Sequence, residues 1–194
     1  MDQEMIEKLF PITVASMHGL LDAQEIAAAS ALAIEVDKNL NDFPVPYSRP
    51  ARTSLDVLYP DVYGPIFTKV RLAVETAYQV RVKSLIGRES IFLDGQHLPV
   101  HVEGDSDLSA LLWLDWSAKS DPSKRDYTGM FCLQSPSGVV GFKKHGWEPA
   151  RSKMYEPQPG SLVIHPSYVP HFVFPYKGER PGVEIHFEIL VESA

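Results

Sequence analysis

The sequence predicts an α+β fold: an antiparallel jelly roll, or double-stranded β-helix, with N-terminal helices packed on it. Two stretches before about residue 90 repeat apolar residues at three- and four-residue steps, the period of a helix. From Ile91 onward the pattern changes to about eight short apolar runs separated by Gly, Pro, Ser and Asp, with no helical stretch between them. Sixteen prolines in 194 residues limit helix and make the chain turn often. Helices followed by uninterrupted strands argue against a βαβ arrangement.

The first helix opens at Asp22, with Glu25 three residues on as the second half of a capping box. It runs through Ile26, Ala29, Ala33 and Val36 to about Leu40. The stretch NDFPVPYSRPARTS then breaks all periodicity, since its prolines disfavour helix at and before their own positions. A second helix is expected from about Gly64 to Val82, with Ile66, Phe67, Val70, Val74, Ala77 and Tyr78 on one face. The strand runs are IFL, PVHVE, LSALLWLDW, GMFCL, GVVGF, SLVIH, HFVFPY and VEIHFEILV. In the last of these Val183, Ile185, Phe187 and Ile189 alternate with Glu184, His186, Glu188 and Leu190, giving one apolar and one mostly polar face.

The length suits a single domain over residues 1–194, with helical support to about residue 90 and the roll from about 91. Lys plus Arg number 18 and Asp plus Glu 25, a net charge of −7, which argues against a broad electrostatic grip on nucleic acid or an anionic membrane. A local basic groove stays open. The single cysteine, Cys132, excludes an intramolecular disulfide and a zinc site built on several thiolates. The opening MDQEMIEKLF is acidic where a signal peptide is basic, and no apolar run approaches the ~20 residues that span a bilayer, so a cytoplasmic protein is expected.

Six of the seven histidines lie in the strand-rich half. In Leu98-Pro-Val-His101-Val-Glu103 an imidazole and a carboxylate stand two residues apart, a spacing that puts both on one face of a strand. His171 follows 70 residues later, where the chain has room to return as a neighbouring strand. Two neutral imidazoles and one carboxylate on one side of an ion make the facial triad suited to non-haem Fe(II), leaving positions for a chelating cosubstrate and O2. By spacing alone the same residues also read as surface or hydrogen-bonded histidines, because a His-x-Glu pair occurs by chance in many chains.

The order of the neighbouring features adds to this. After His101-Val-Glu103 comes GDSDLSALLWLDW, and before His171 comes Glu156-Pro-Gln-Pro-Gly160-Ser-Leu-Val-Ile-His165-Pro-Ser-Tyr-Val-Pro. In this order the chain resembles the 2-oxoglutarate- and iron(II)-dependent oxygenases, in particular their compact bacterial and phage-type branch related to prolyl 4-hydroxylases. The resemblance extends over nearly the whole length, including the opening Leu9-Phe10-Pro11 and the two early helices. It implies His101, Glu103 and His171 as iron ligands, with 2-oxoglutarate as cosubstrate and O2 as oxidant. The activity implied is a dioxygenase that hydroxylates a C–H bond of a peptide side chain or small molecule and releases succinate and CO2.

The family usually places a basic residue about ten positions after the distal histidine, to pair with the far carboxylate of 2-oxoglutarate. Positions 181–183 here are Pro, Gly and Val, which makes Arg180 the nearest cosubstrate anchor, with Lys177 behind it. Arg180 also reads as a solvated loop charge, in which case Lys143, Lys144 or Arg151 stand next. His165 reads as a packing residue and His97 as pocket edge. His186, beside Glu184 and Glu188, reads as part of an exposed strand face rather than a second metal site. Tyr127 and Tyr155 are weaker candidates for holding a carboxylate, Trp113, Trp116 and Trp147 belong to core or pocket wall, and Ser117–Gly129 is a cover loop or a plain connection.

Two other readings stay open: a non-catalytic jelly-roll binding or structural module with a degenerate metal site, and a cupin-type metalloenzyme that works without 2-oxoglutarate. Tight iron binding separates the first from an oxygenase, and succinate formation separates the second.

Overall fold

The computed structural model describes residues 12–36, 47–48, 54–136 and 151–192. Strand β1 (Ala15–Met17) leads to α1 (Ala23–Val36), the two-residue β2 (Tyr47–Ser48), α2 (Leu55–Leu58) and α3 (Pro60–Tyr78). The strands β3 (Val82–Phe92), β4 (Leu98–His101), β5 (Leu108–Asp115), β6 (Phe131–Gln134), β7 (Ser152–Tyr155), β8 (Leu162–Pro166), β9 (His171–Val173) and β10 (Gly182–Val191) follow. All pairings are antiparallel, in a six-stranded sheet of order β1-β8-β5-β10-β3-β2 and a four-stranded sheet of order β4-β9-β6-β7. This is the expected jelly roll with helices on one side.

The capping box at the start of α1 forms: Asp22 Oδ1 accepts from the Gln24 and Glu25 N–H groups, and Glu25 Oε2 accepts from the Asp22 N–H. Helix α3 starts at Pro60 rather than Gly64, because proline at the first helical position lacks only an N–H that would go unpaired there. It ends at Tyr78, where Gln79 turns left-handed at φ 54°. Val82 therefore opens a strand instead of closing a helix. Strand β3 begins nine residues before the expected Ile91 because its run KSLIGRES, polar and interrupted by Gly87, hides the alternation.

Gly87 is required by packing. A Cβ there would lie 2.5 Å from Phe67 Cζ and 2.9 Å from Phe187 Cε1, so its absence lets α3 lay Phe67 edge-on against Phe187 across the sheet. The apolar face of β10, Val183, Ile185, Phe187 and Ile189, is fully buried against α1 and α3 in a cluster that includes Ala29, Ala33, Ile66 and Val70. Strand β5 is buried on both faces, sending Ala110, Leu112 and Leu114 to that cluster and Leu111 and Trp113 into the space between the sheets. This is why it reads as one continuous apolar run.

With its apolar face on the helices, β10 turns its polar face inward. Glu184 is only 1% exposed, and the expectation of an exposed face at His186 is corrected accordingly. The GVVGF run, Leu9-Phe10-Pro11, Lys143, Lys144, Trp147 and the expected helix end at Leu40 lie outside the described residues. Among the described residues no helix is long and apolar enough to cross a membrane.

Candidate metal centre

Strand β4 pairs with β9 in the register that sets His101 opposite His171, with ring centroids 4.1 Å apart. Glu103 follows just past β4, where its backbone N–H donates to the Ser167 carbonyl at 3.1 Å and ties it to the turn before β9. Ligand atoms of His101, Glu103 and His171 all fall within 4.8 Å of one another. The two-residue spacing acts as the sequence implies: His101 Nε2 and Glu103 Oε1 are 3.2 Å apart.

The outer nitrogens are committed elsewhere. His101 Nδ1 meets the Pro99 carbonyl at 2.8 Å and His171 Nδ1 the Val169 carbonyl at 3.0 Å, and a carbonyl accepts only from a protonated nitrogen. In neutral His171 Nε2 therefore keeps its lone pair, the tautomer that a metal ligand needs, while His101 Nε2 donates to Glu103 in the metal-free protein and must give up that proton to bind a metal. His171 is fully buried and its Nε2 has no hydrogen-bond partner. A buried polar atom left open at the meeting point of two other donors fits a bound cation.

The charges agree with this. The hydrogen bond from His101 holds the Glu103 carboxyl down to about 2, against its burial, and Glu103 in turn raises the pKa of His101. Burial pushes His171 down to about 3, with His165 beside it adding to the fall. At neutral pH the cluster thus offers an ionised carboxylate and a neutral His171.

The triad opens into a cavity of about 140 Å³ whose far wall is the inner face of β10 and β3. His186, 3.7 Å from Glu103 Oε1 through Nε2, is pushed down to about 4 by burial. Glu184 is pushed up to about 8, again by burial, a rise that its cross-strand neighbour Trp113 opposes. Arg88 on β3, cross-strand from His186, forms a two-pronged ion pair with Glu188: Nη1 meets Oε1, and Nη2 meets Oε2 at 3.3 Å.

Arg180 is elsewhere. Its side chain is 67% exposed, pairs with Asp115 Oδ1 at 3.0 Å, and lines a separate surface hollow with Trp116, Ser117, Lys119 and Lys177. The structure brings His101, Glu103 and His171 together and does not bring Arg180 to them. His165 packs as expected, fully buried with Nδ1 on the Pro166 carbonyl at 3.0 Å. His97 is exposed, Tyr127 stacks on Phe174, and Tyr155 packs near Phe131. Trp113 and Trp116 are core residues. Ser117–Gly129 carries a 3-10 turn and an Asp121–Asp126 bridge, and none of its residues lines the triad cavity. Sequence reasoning missed Arg88 as a cavity residue and read Glu184 and Glu188, beside His186, as an exposed face. Only the alternation of β10 signalled the latter two.

No protein-family model matches the chain, and no curated protein matches it. Solved structures do. A prolyl-4-hydroxylase from Pseudomonas putida superposes with a TM-score of 0.58 at 18% identity, covering 93% of each chain. The chain has the double-stranded β-helix fold of these oxygenases. HygX from Streptomyces hygroscopicus, solved with nickel and 2-oxoglutarate, has a TM-score of 0.62 at 14% identity over 90% of this chain and 82% of that one. The viral collagen prolyl hydroxylase of Paramecium Bursaria Chlorella virus-1, in its 2-oxoglutarate complex, has a TM-score of 0.58 at 14% identity over 91% and 94%. Within this fold His101, at the end of β4, His171 on β9 and Glu103 just past β4 line the cavity that faces β10 and β3.

Proposed function

We propose that the protein is an Fe(II)- and 2-oxoglutarate-dependent dioxygenase that hydroxylates a C–H bond of a peptide side chain or small molecule. The observation that carries this reading is the convergence of His101, Glu103 and His171 at the mouth of a buried cavity, with both outer imidazole nitrogens fixed on backbone carbonyls. That donor set, two imidazoles and one carboxylate, is the facial triad of non-haem Fe(II) enzymes; because the same residue types also hold catalytic zinc, it is the oxygenase fold that favours iron here. The fold shared with HygX and the viral hydroxylase, both solved with 2-oxoglutarate, supports the same cosubstrate here.

Iron bound there would supply oxidative decarboxylation of 2-oxoglutarate to succinate and CO2, coupled to insertion of one oxygen atom of O2 into the substrate. The protein's own residues do the positioning. His101 and His171 present Nε2, Glu103 brings the one negative charge, and Leu98 and Leu111 form apolar wall beside them. Packing of Trp113, Phe131 and Val173 closes the interior to bulk water.

Incubation with Fe(II), ascorbate, O2 and 2-oxoglutarate tests the reading. Slow formation of succinate without added substrate, lost in His171→Ala, is expected. No succinate, together with no binding of 2-oxoglutarate to the metal-loaded protein, would transfer the assignment to a non-catalytic jelly-roll binding module.

A further inference from the structure

We infer that His186, on β10, is a positioning residue for the metal: through Nε2 it donates to the Glu103 carboxylate when an ion occupies the triad. This rests on the function proposed above only so far as a metal binds to His101, Glu103 and His171.

The Glu103 carboxylate has two imidazoles beside it. His101 Nε2 lies 3.2 Å and His186 Nε2 3.7 Å from the same oxygen, Oε1. Among the described residues no other Lys, Arg or His nitrogen comes within 4.0 Å of this carboxylate. The two rings are not equivalent. His101 keeps Nδ1 on the Pro99 carbonyl, so a metal must take Nε2, and its donation to Glu103 then ends. His186 is not a member of the triad, and its Nε2 is buried with no hydrogen-bond partner. At 3.7 Å it stands just beyond hydrogen-bond length, and contacts of this kind are often long in an unloaded site and tighten on loading. A carboxylate that binds an ion through one oxygen leaves its other oxygen in need of a donor, and the Glu103 side chain is only 22% exposed. A donor on that second oxygen also keeps the carboxylate from chelating through both, so one side of the ion stays open.

The fold holds the imidazole where this role needs it. His186 sits in the middle of β10, a strand paired on both sides, opposite Arg88 on β3 and Leu111 on β5. Its neighbours Ile185 and Phe187 are fully buried on the helical side, which fixes His186 on the cavity side with Glu103. Its ring centroid is 6.3 Å from that of His171, against 4.1 Å between His101 and His171, which sets it beside the ligands rather than among them.

The test is competitive titration of the full chain with Mn(II), together with the ligand-field absorption of the Co(II)-loaded protein. His186→Leu and His186→Asn should each weaken Mn(II) binding by roughly 10- to 100-fold, the usual cost of losing a partner of a ligating group. Asn keeps a polar side chain, but its amide nitrogen falls near the position of Nδ1 and cannot reach Glu103. His186→Gln carries its amide nitrogen to the position of Nε2, so it should recover most of the affinity and keep the wild-type Co(II) spectrum. A residue that only packs would not separate Gln from Asn. Wild-type affinity in both the Leu and the Asn variants overturns the inference. So does a Gln variant as weak as those two, which with an altered Co(II) spectrum makes His186 a ligand in its own right. A wild type that binds no Mn(II) is a different result, and it overturns the proposed function instead.

Discussion

His101 and His171 are direct cross-strand partners, and each turns its Nδ1 onto a backbone carbonyl two residues earlier in its own segment, Pro99 and Val169. The paired local contact fixes both rings before any ligand arrives. Removing one ring therefore removes a donor without disturbing its partner's orientation. His101→Ala, Glu103→Ala and His171→Ala should each reduce iron stoichiometry from one per chain to near zero, while the far-ultraviolet dichroism is retained. Metal analysis after gel filtration reads this directly.

The buried imidazoles impose a pH dependence on the metal-free protein. His165, His171 and His186 have folded pKa values lowered to about 4, 3 and 4 from an ordinary 6.5, so below 6.5 the unfolded chain takes up protons that the folded one refuses. Stability falls as pH drops from 6.5 toward 4. Glu184, raised to about 8, has the opposite sign: the folded state holds its proton between 4.5 and 8, and stability falls as pH rises through that range. Below 6.5 the three lowered histidines outweigh one glutamate, and above it Glu184, joined by His101 with its raised pKa, lowers stability as pH rises. Thermal melts of the apo-protein should peak near pH 6.5, and Glu184→Gln should flatten the alkaline side and steepen the acid side down to about pH 4.5.

Gly87→Ala tests the helix-to-sheet packing. The added methyl group must displace the Phe67 or Phe187 ring from a fully packed layer, at a cost of about 1–3 kcal/mol. Denaturant titration should show that loss. Phe67→Leu in the same chain should recover part of it, because the longest reach toward Gly87 is then gone.

Tyr176→Phe tests the far end of the roll. The Tyr176 hydroxyl donates to the Arg180 carbonyl at 2.6 Å and accepts from the Ser117 N–H at 3.3 Å, with its ring fully buried against Trp116. Losing the hydroxyl leaves the Ser117 N–H unmet and the Arg180 carbonyl with only the Ser117 hydroxyl at 3.2 Å, and should cost about 1–3 kcal/mol. Iron stoichiometry should not change, since neither Tyr176 nor Ser117 lines the triad cavity.

Much of the fold and of the candidate site is legible in the residues. The capping box at Asp22 and Glu25, the alternation from Val183 to Ile189 and the His101-Val-Glu103 spacing each depend on local geometry, which spacing encodes directly. What stays hidden depends on which side of the chain faces inward. Alternation groups Glu184, His186 and Glu188 on one face, but only the packing of Val183, Ile185 and Phe187 on the helices turns that face into the cavity. Arg88 is concealed in the same way, a charged residue in a polar run of β3 whose partner lies 100 positions later. The placement of Arg180 is hidden because distance along the chain from His171 does not report the path of the loop, in which Tyr176 and Ser117 hydrogen-bond the Arg180 backbone.

The most direct measurement of the central claim is an anaerobic titration of the apo-protein with Fe(II) and then 2-oxoglutarate, followed by visible absorption. A metal-to-ligand charge-transfer band that needs both additions, saturates at one iron per chain and is lost in His171→Ala is the predicted result. A wild-type protein that shows no band with both present, or a His171→Ala variant that shows it undiminished, contradicts the account.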